Sequence, residues 1–239
     1  AIKHNYNIYN QLSIIMKKFF LAIAAMALTA PAFAQFSSGG FDLDKENVYY
    51  GIRLGITAAS ISSSDADFKD LNSKVGMTLG GVIGLRCSKT TPIFLESGLY
   101  YTQRGGKGDI TKKWQGYETP TKRGATANIN YLEIPILIKY GIQAGDNIAI
   151  LPYVGPYFAM AIAGDTKLDA IGELPSEKPS SFDSGYFNRP DMGFKLGCGL
   201  EYNNLYVEVG YQFGVANIAD GDDVTAHGNA FIANFGVNF

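Results

Sequence analysis

Charged residues recur on one side of alternating stretches of this chain instead of gathering in loops: Arg53, Arg86, Glu96, Glu133, Lys139, Asp191, Lys195, Glu201 and Glu208. Charges of both signs on one face can pair, and pairing is the condition under which such groups tolerate burial. Glu201 and Glu208 flank the two-residue turn Asn203-Asn204 and sit almost opposite each other. They repel unless a cation lies between them, with Arg53 and Lys195 the candidates. Arg86 and Glu96 straddle the Ser88–Pro92 turn and are expected to pair across it. The expected chemistry is a structural ionic network, not catalysis.

Hydrolysis or acyl transfer would need a nucleophile, a base and an orienting group held together. His227 is one of two histidines, and Ser180, Ser181, Asp183, Asp222 and Asp223 occupy the same kind of polar connection. Loops are rich in Ser and Asp for turn geometry alone, so these residues mark no active site. Cys87 and Cys198 make neither a zinc spacing nor a disulfide framework, and read as small hydrophobes on outward strand positions. Gly80-Gly81 and Gly197-x-Gly199 precede no helix, so no phosphate loop follows. The chain is expected to be no enzyme and to hold no cofactor and no metal.

The elements that carry the charges alternate with a period of two, the mark of strands. Eight stretches do so: Val48–Thr57, Val75–Cys87, Ile93–Gln103, Asn128–Tyr140, Ile148–Ile162, Pro190–Tyr202, Leu205–Phe213 and Asn229–Phe239. In the sixth, Met192, Phe194, Leu196, Cys198 and Leu200 alternate with Asp191, Gly193, Lys195, Gly197, Gly199 and Glu201. Connections 58–74, 104–127, 163–189 and 214–228 are long and polar, whereas 88–92, 141–147 and 203–204 are short. Ten strands remain open if 163–189 hides a hairpin, because Lys167–Ile171 alternates weakly.

Composition agrees with an all-β reading. Charged residues are 18 %, below the roughly 25 % of an average soluble domain, and there are 28 Gly, 15 Tyr and 15 Phe. The formal net charge of −2 argues against a nucleic-acid partner. Met16 opens a leader with Lys17 and Lys18, an apolar run Phe19–Leu28 and the small-x-small site Ala32-Phe33-Ala34. Residues 16–34 are therefore expected to be a signal peptide cut between Ala34 and Gln35. Residues 1–15 are read as upstream of the start, 35–45 as a short periplasmic lead-in, and 46–239 as the barrel.

A soluble barrel would put the apolar face inside. Here the charges share their face with glycines, and the other face is uniformly Leu, Ile, Phe and Val. Exposing that face to water is untenable, and a narrow lumen can hold paired charges. The expectation is an eight-stranded antiparallel up-and-down transmembrane β-barrel of a Gram-negative outer membrane. Its short turns face the periplasm and Phe239 serves as the terminal barrel-assembly signal. Aromatics near the short-turn ends (Tyr49, Tyr50, Tyr140, Tyr202, Tyr206, Phe239) and the long-loop ends (Tyr101, Phe158, Phe194, Phe213, Phe231) suggest two interfacial girdles.

The stretch Tyr131–Tyr140, YLEIPILIKY, resembles the signature strand of the PorT-like outer-membrane β-barrel family, and Pro152–Phe158, Asp191–Tyr202 and Val207–Ile218 fit the same family. The resemblance covers essentially the whole chain after the leader. It implies a small barrel without catalytic residues. The family's namesake is associated with a protein-secretion apparatus. Expected partners are outer-membrane lipid, the barrel-assembly machinery and another envelope or secretion protein. The expected function is a closed barrel acting through its extracellular loops, with a narrow solute channel or an accessory secretion role as alternatives.

Overall fold

Successive side chains of an extended strand point to opposite faces, so a chain alternating apolar with small or charged residues can close only with one class inward. The computed structural model describes residues 48–63, 71–112, 119–145, 147–172, 174–182, 188–219 and 225–239. The upstream residues 1–15, the leader 16–34 with its Ala34–Gln35 junction, and the lead-in 35–45 lie outside the described residues.

Among the described residues nine strands follow in order: β1 Val48–Ser63, β2 Leu71–Arg86, β3 Ile93–Lys112, β4 Thr121–Tyr140, β5 Ile142–Gly145, β6 Ile148–Leu168, β7 Pro190–Tyr202, β8 Leu205–Gly214 and β9 Ala226–Asn238. Sequential neighbours pair antiparallel except β4 and β5: β5 pairs with β6 alone, and β4 pairs directly with β6 from Lys139↔Tyr153 to Ala125↔Leu168. First and last strands join from Gly51↔Asn238 to Ser63↔Ala226, so the sheet closes into a ring of eight strands. Phe239 completes the seam, exchanging two backbone hydrogen bonds of 2.9 Å with Tyr50. The ninth strand, β5, lies in the expected short turn 141–147 and merely prolongs the path of β4 beside the start of β6.

Several strands outrun their apolar alternation. β3 and β4 pair over 20 residues each, through Lys112↔Thr121, and β6 runs to Leu168. Parts of 58–74, 104–127 and 163–189 are thus strand and not loop. The reason is that backbone pairing continues in water after lipid stops selecting apolar side chains. Beyond the end of β6, the described residues of 163–189 add the isolated bridges Asp165↔Ser180, Leu168↔Glu177 and Ile171↔Leu174, and no further pair of strands among the described residues joins the ring. The wall is consequently taller along β3, β4 and β6 than along β7 to β9.

The exterior is apolar over the middle of the ring, with Ile52, Leu54, Val154, Leu196 and Phe235 all about half exposed. Tyr140 and Tyr202 face outward near the short-turn end, but Tyr49 and Tyr206 do not belong to a girdle. Both are buried, on the inward parity of β1 and β8, where their rings form a floor with Phe94, Ala149 and Leu151. At the opposite end Ile218 and Ala219 fold in from the β8–β9 connection and pack on Ile61, Ala127 and Ala226. Asn188 fastens this roof, donating its backbone N–H to the Ile218 carbonyl at 2.8 Å and its side chain to the Ala219 carbonyl at 2.6 Å. Among the described residues no helix is long and apolar enough to cross a membrane, a fact without bearing on crossing by strands.

Candidate functional site

Between floor and roof the lumen is filled by charged side chains delivered by several strands of the ring. They fall into two layers. In the layer nearer the short turns, Lys139 from β4 contacts Glu96 from β3 at 2.9 Å and donates to the Tyr206 hydroxyl at 2.7 Å. Arg53 from β1 lies 3.8 Å from Glu96 and stacks its guanidinium 4.0 Å from the Tyr206 ring centre. Tyr49 donates to Glu96 at 2.7 Å and Tyr206 to Glu208 at 2.9 Å.

Glu201 and Glu208 are held in this layer by amides, not by a bridging cation. Asn234 donates to Glu208 at 2.6 Å, and Asn238 donates to Glu201 at 2.8 Å while accepting from Arg53 at 2.5 Å. Arg53 therefore reaches Glu201 only through Asn238, and Lys195 lies in the other layer. The register explains it: Glu201 faces Tyr206 and Glu208 faces Gly199, so the carboxylates sit diagonally and have room for separate partners.

The second layer lies nearer the roof. Glu133 from β4 is fully buried and forms a close ion pair with Lys195 from β7. Arg104 from β3 contacts Asp191 at 2.8 Å and stands 3.5 Å from Glu133. Gln212 donates to Glu133 at 3.3 Å and Tyr157 to Asp191 at 3.1 Å. The Arg104 guanidinium stacks 3.9 Å from the Tyr131 ring centre, which fixes its plane. Here two cations face two carboxylates, whereas the first layer sets Arg53 and Lys139 against Glu96, Glu201 and Glu208.

Eight of the nine expected residues thus share the lumen. Arg86 stands apart, half-buried at the short-turn rim, where its Nε donates to the Ser88 carbonyl at 2.8 Å and its guanidinium lies 6.0 Å from the Phe94 ring centre. In register Arg86 faces Phe94 and Glu96 faces Gly84, so the two charges are offset along the strands and Glu96 turns to Lys139 instead. Sequence reasoning missed Arg104 because the apolar alternation of the other face ends near Gln103. The signal was present in the inward series Glu96, Gly98, Tyr100, Thr102, Arg104, continued by one step. It also left the neutral donors Asn234, Asn238 and Gln212 out of the network, since charge alone does not show that a carboxylate prefers an amide.

Glycines opposite the bulky side chains make the filling possible. A Cβ on Gly84 would overlap the Tyr49 ring, and one on Gly199 the Tyr206 ring. Of the other candidates, Ser181 is buried against the Thr166 hydroxyl at 2.9 Å, and His227 Nδ1 lies 3.0 Å from the Ala216 carbonyl. Asp183, Asp222 and Asp223 lie outside the described residues. Among those described, no cluster of three His, Cys, Asp or Glu side chains is arranged to hold a metal ion. Cys87 and Cys198 are free thiols exposed on the outer face.

The sequence matches the family described as outer membrane protein beta-barrel domain over residues 33–220. No curated protein sequence matches the chain. Among solved structures, similar chains include a major outer membrane protein from Thermus thermophilus (11 % identity, TM-score 0.46), covering 81 % of this chain and 100 % of that one. Others are Neisserial surface protein A (17 %, TM-score 0.41; 81 % and 100 %) and the outer membrane protease OmpT from Escherichia coli (11 %, TM-score 0.39; 81 % and 96 %).

Proposed function

Because the chain belongs to the outer membrane protein beta-barrel domain family and so resides in the outer membrane, we propose that it is a closed, non-enzymatic barrel that acts through the segments on its long-loop side. The observation that carries this reading is the lumen. Arg53, Glu133 and Lys139 are fully buried there, between an apolar floor at Tyr49, Phe94 and Tyr206 and an apolar roof at Ile218. A conducting path would have to hydrate these pairs and displace both seals. An eight-strand barrel has an interior just wide enough for side chains to fill, and here they fill it.

The PorT-like resemblance of Tyr131–Tyr140 adds an accessory secretion role as a finer reading. The motif, however, has structural work at each charged position. Tyr131 stacks on Arg104, Glu133 holds Lys195 and Lys139 holds Glu96. It therefore supports a barrel more directly than it supports export.

The test is conductance of the refolded protein in a planar bilayer, after a heat-dependent gel shift establishes folding. The expected result is a bilayer that stays closed. Steady, ion-selective openings would overturn the closed-lumen reading and favour a channel.

A further inference from the structure

Beneath the roof lies a small void bounded by β1, β3, β4 and β9. It is lined by Ile61, Ile129, Tyr131, Ile218 and Gly228, with Arg104 at its base, and holds about 10 Å³, room for about one water molecule. The walls are mostly buried and apolar. Arg104 is also buried: Asp191 takes its Nη1 at 2.8 Å and Glu133 stands 3.5 Å from its Nη2, while its Nε has no hydrogen-bond partner. Tyr131 stacks on the guanidinium plane at 3.9 Å. A buried donor left unpaired is costly, and its place on a residue that lines an apolar space suggests an occupant with one polar atom and an apolar body.

We propose that this capped space is a binding site for a small uncharged molecule. Its hydrogen-bond acceptor sits on the Arg104 Nε–H, and its apolar body takes the place the Ile218 side chain now fills. Charge sets the class of ligand. Arg104 and Lys195 are balanced by Glu133 and Asp191 within the same layer, so an anion would add an uncompensated buried charge and a cation would meet Arg104 head on. The Ile218 side chain is the group such a body must displace. Ile218 is tied by its backbone, to Ala226 at 2.9 Å and to Asn188 at 2.8 Å, while its side chain only fills space. Gly228 offers the complementary control, since a Cβ there would meet Ile218 Cδ1 at an ordinary 3.6 Å and occupy the void without a clash.

The experiment follows the arginine Nε–H cross-peaks of the refolded, ¹⁵N-labelled barrel in micelles. Arg104 is assigned by its loss in Arg104→Lys or, should that variant not refold, by its contacts with the Tyr131 ring. The probes are cyclohexanone, methylcyclohexane and cyclohexanecarboxylate. Cyclohexanone is expected to move the Arg104 cross-peak saturably, at several-fold lower concentration in Ile218→Ala, and to lose that effect in Gly228→Val or, if Val prevents refolding, in Gly228→Ala. A cross-peak unmoved in both wild type and Ile218→Ala would mean the space holds only water and overturn the proposal. So would an equal shift in the Gly228 variant, or a larger shift with cyclohexanecarboxylate or methylcyclohexane than with cyclohexanone. The inference rests on the closed-barrel reading. Open conductance would defeat the closed-barrel reading, whereas absent binding in a non-conducting barrel defeats this one alone.

Discussion

Replacing Glu133 by Gln tests whether the charged lumen is held together by pairing or merely tolerated. Glu133 is fully buried, forms the close pair with Lys195, stands 3.5 Å from Arg104 and accepts from Gln212 at 3.3 Å. The amide keeps the shape and removes the charge, so Arg104 and Lys195 would share Asp191 alone. Removing one partner of a buried pair costs about 3–5 kcal/mol, because the other charge stays buried without compensation. Since Gln can still accept from Lys195, a loss near the lower end, about 3 kcal/mol, is expected. Lys195→Met alone should cost a similar amount. The double variant Glu133→Gln with Lys195→Met restores neutrality, and should recover about 1–3 kcal/mol relative to the sum of the two losses. The measurement is urea unfolding in lipid vesicles, with the folded fraction read from heat-dependent gel mobility. A single-variant loss below about 1 kcal/mol, or strictly additive losses in the double variant, would refute the argument that this pair is energetically coupled.

Three further outcomes are expected by the same unfolding measurement. Val154, half exposed and paired with Ile138 and Leu196 in the middle of the apolar exterior, should lose about 2–4 kcal/mol on replacement by Arg, while Tyr202→Arg at the short-turn rim should lose about 0–1 kcal/mol. Gly155→Ala should destabilise by about 1–3 kcal/mol, because a Cβ there overlaps the Ile136 carbonyl where strand and strand approach closely, whereas Gly81→Ala, with its nearest atom 3.9 Å away, should be nearly neutral. Asn203 opens the β7–β8 turn with a φ of 54°, so Asn203→Val should cost about 1–2 kcal/mol and Asn203→Gly should not. Equal losses for Gly155→Ala and Gly81→Ala would show that backbone approach does not set the preference for glycine.

The strand inventory was legible in the chain because lipid and a filled lumen impose opposite demands on alternate residues. β7, from Pro190 to Tyr202, shows this most clearly: its outward Phe194, Leu196 and Leu200 and its inward Asp191, Lys195 and Glu201 keep to one parity throughout. Where the lipid constraint ends, alternation no longer reports the strand. That is why Arg104 was hidden in an expected loop although β3 runs on to Lys112.

The identity of each lumen partner was decided only by closure of the ring. Parity places Glu96 and Arg86 on the same side, but register and the circumference decide that Glu96 meets Lys139 of the next strand. Closure likewise brings Asn238 and Asn234, near the end of the chain, onto Glu201 and Glu208. Sequence determines which side chains must point inward, since that depends on one residue and its immediate alternation. Which of them touch depends on distances across a closed cylinder, where residues as far apart as Arg53 and Asn238 become neighbours and no local pattern records it.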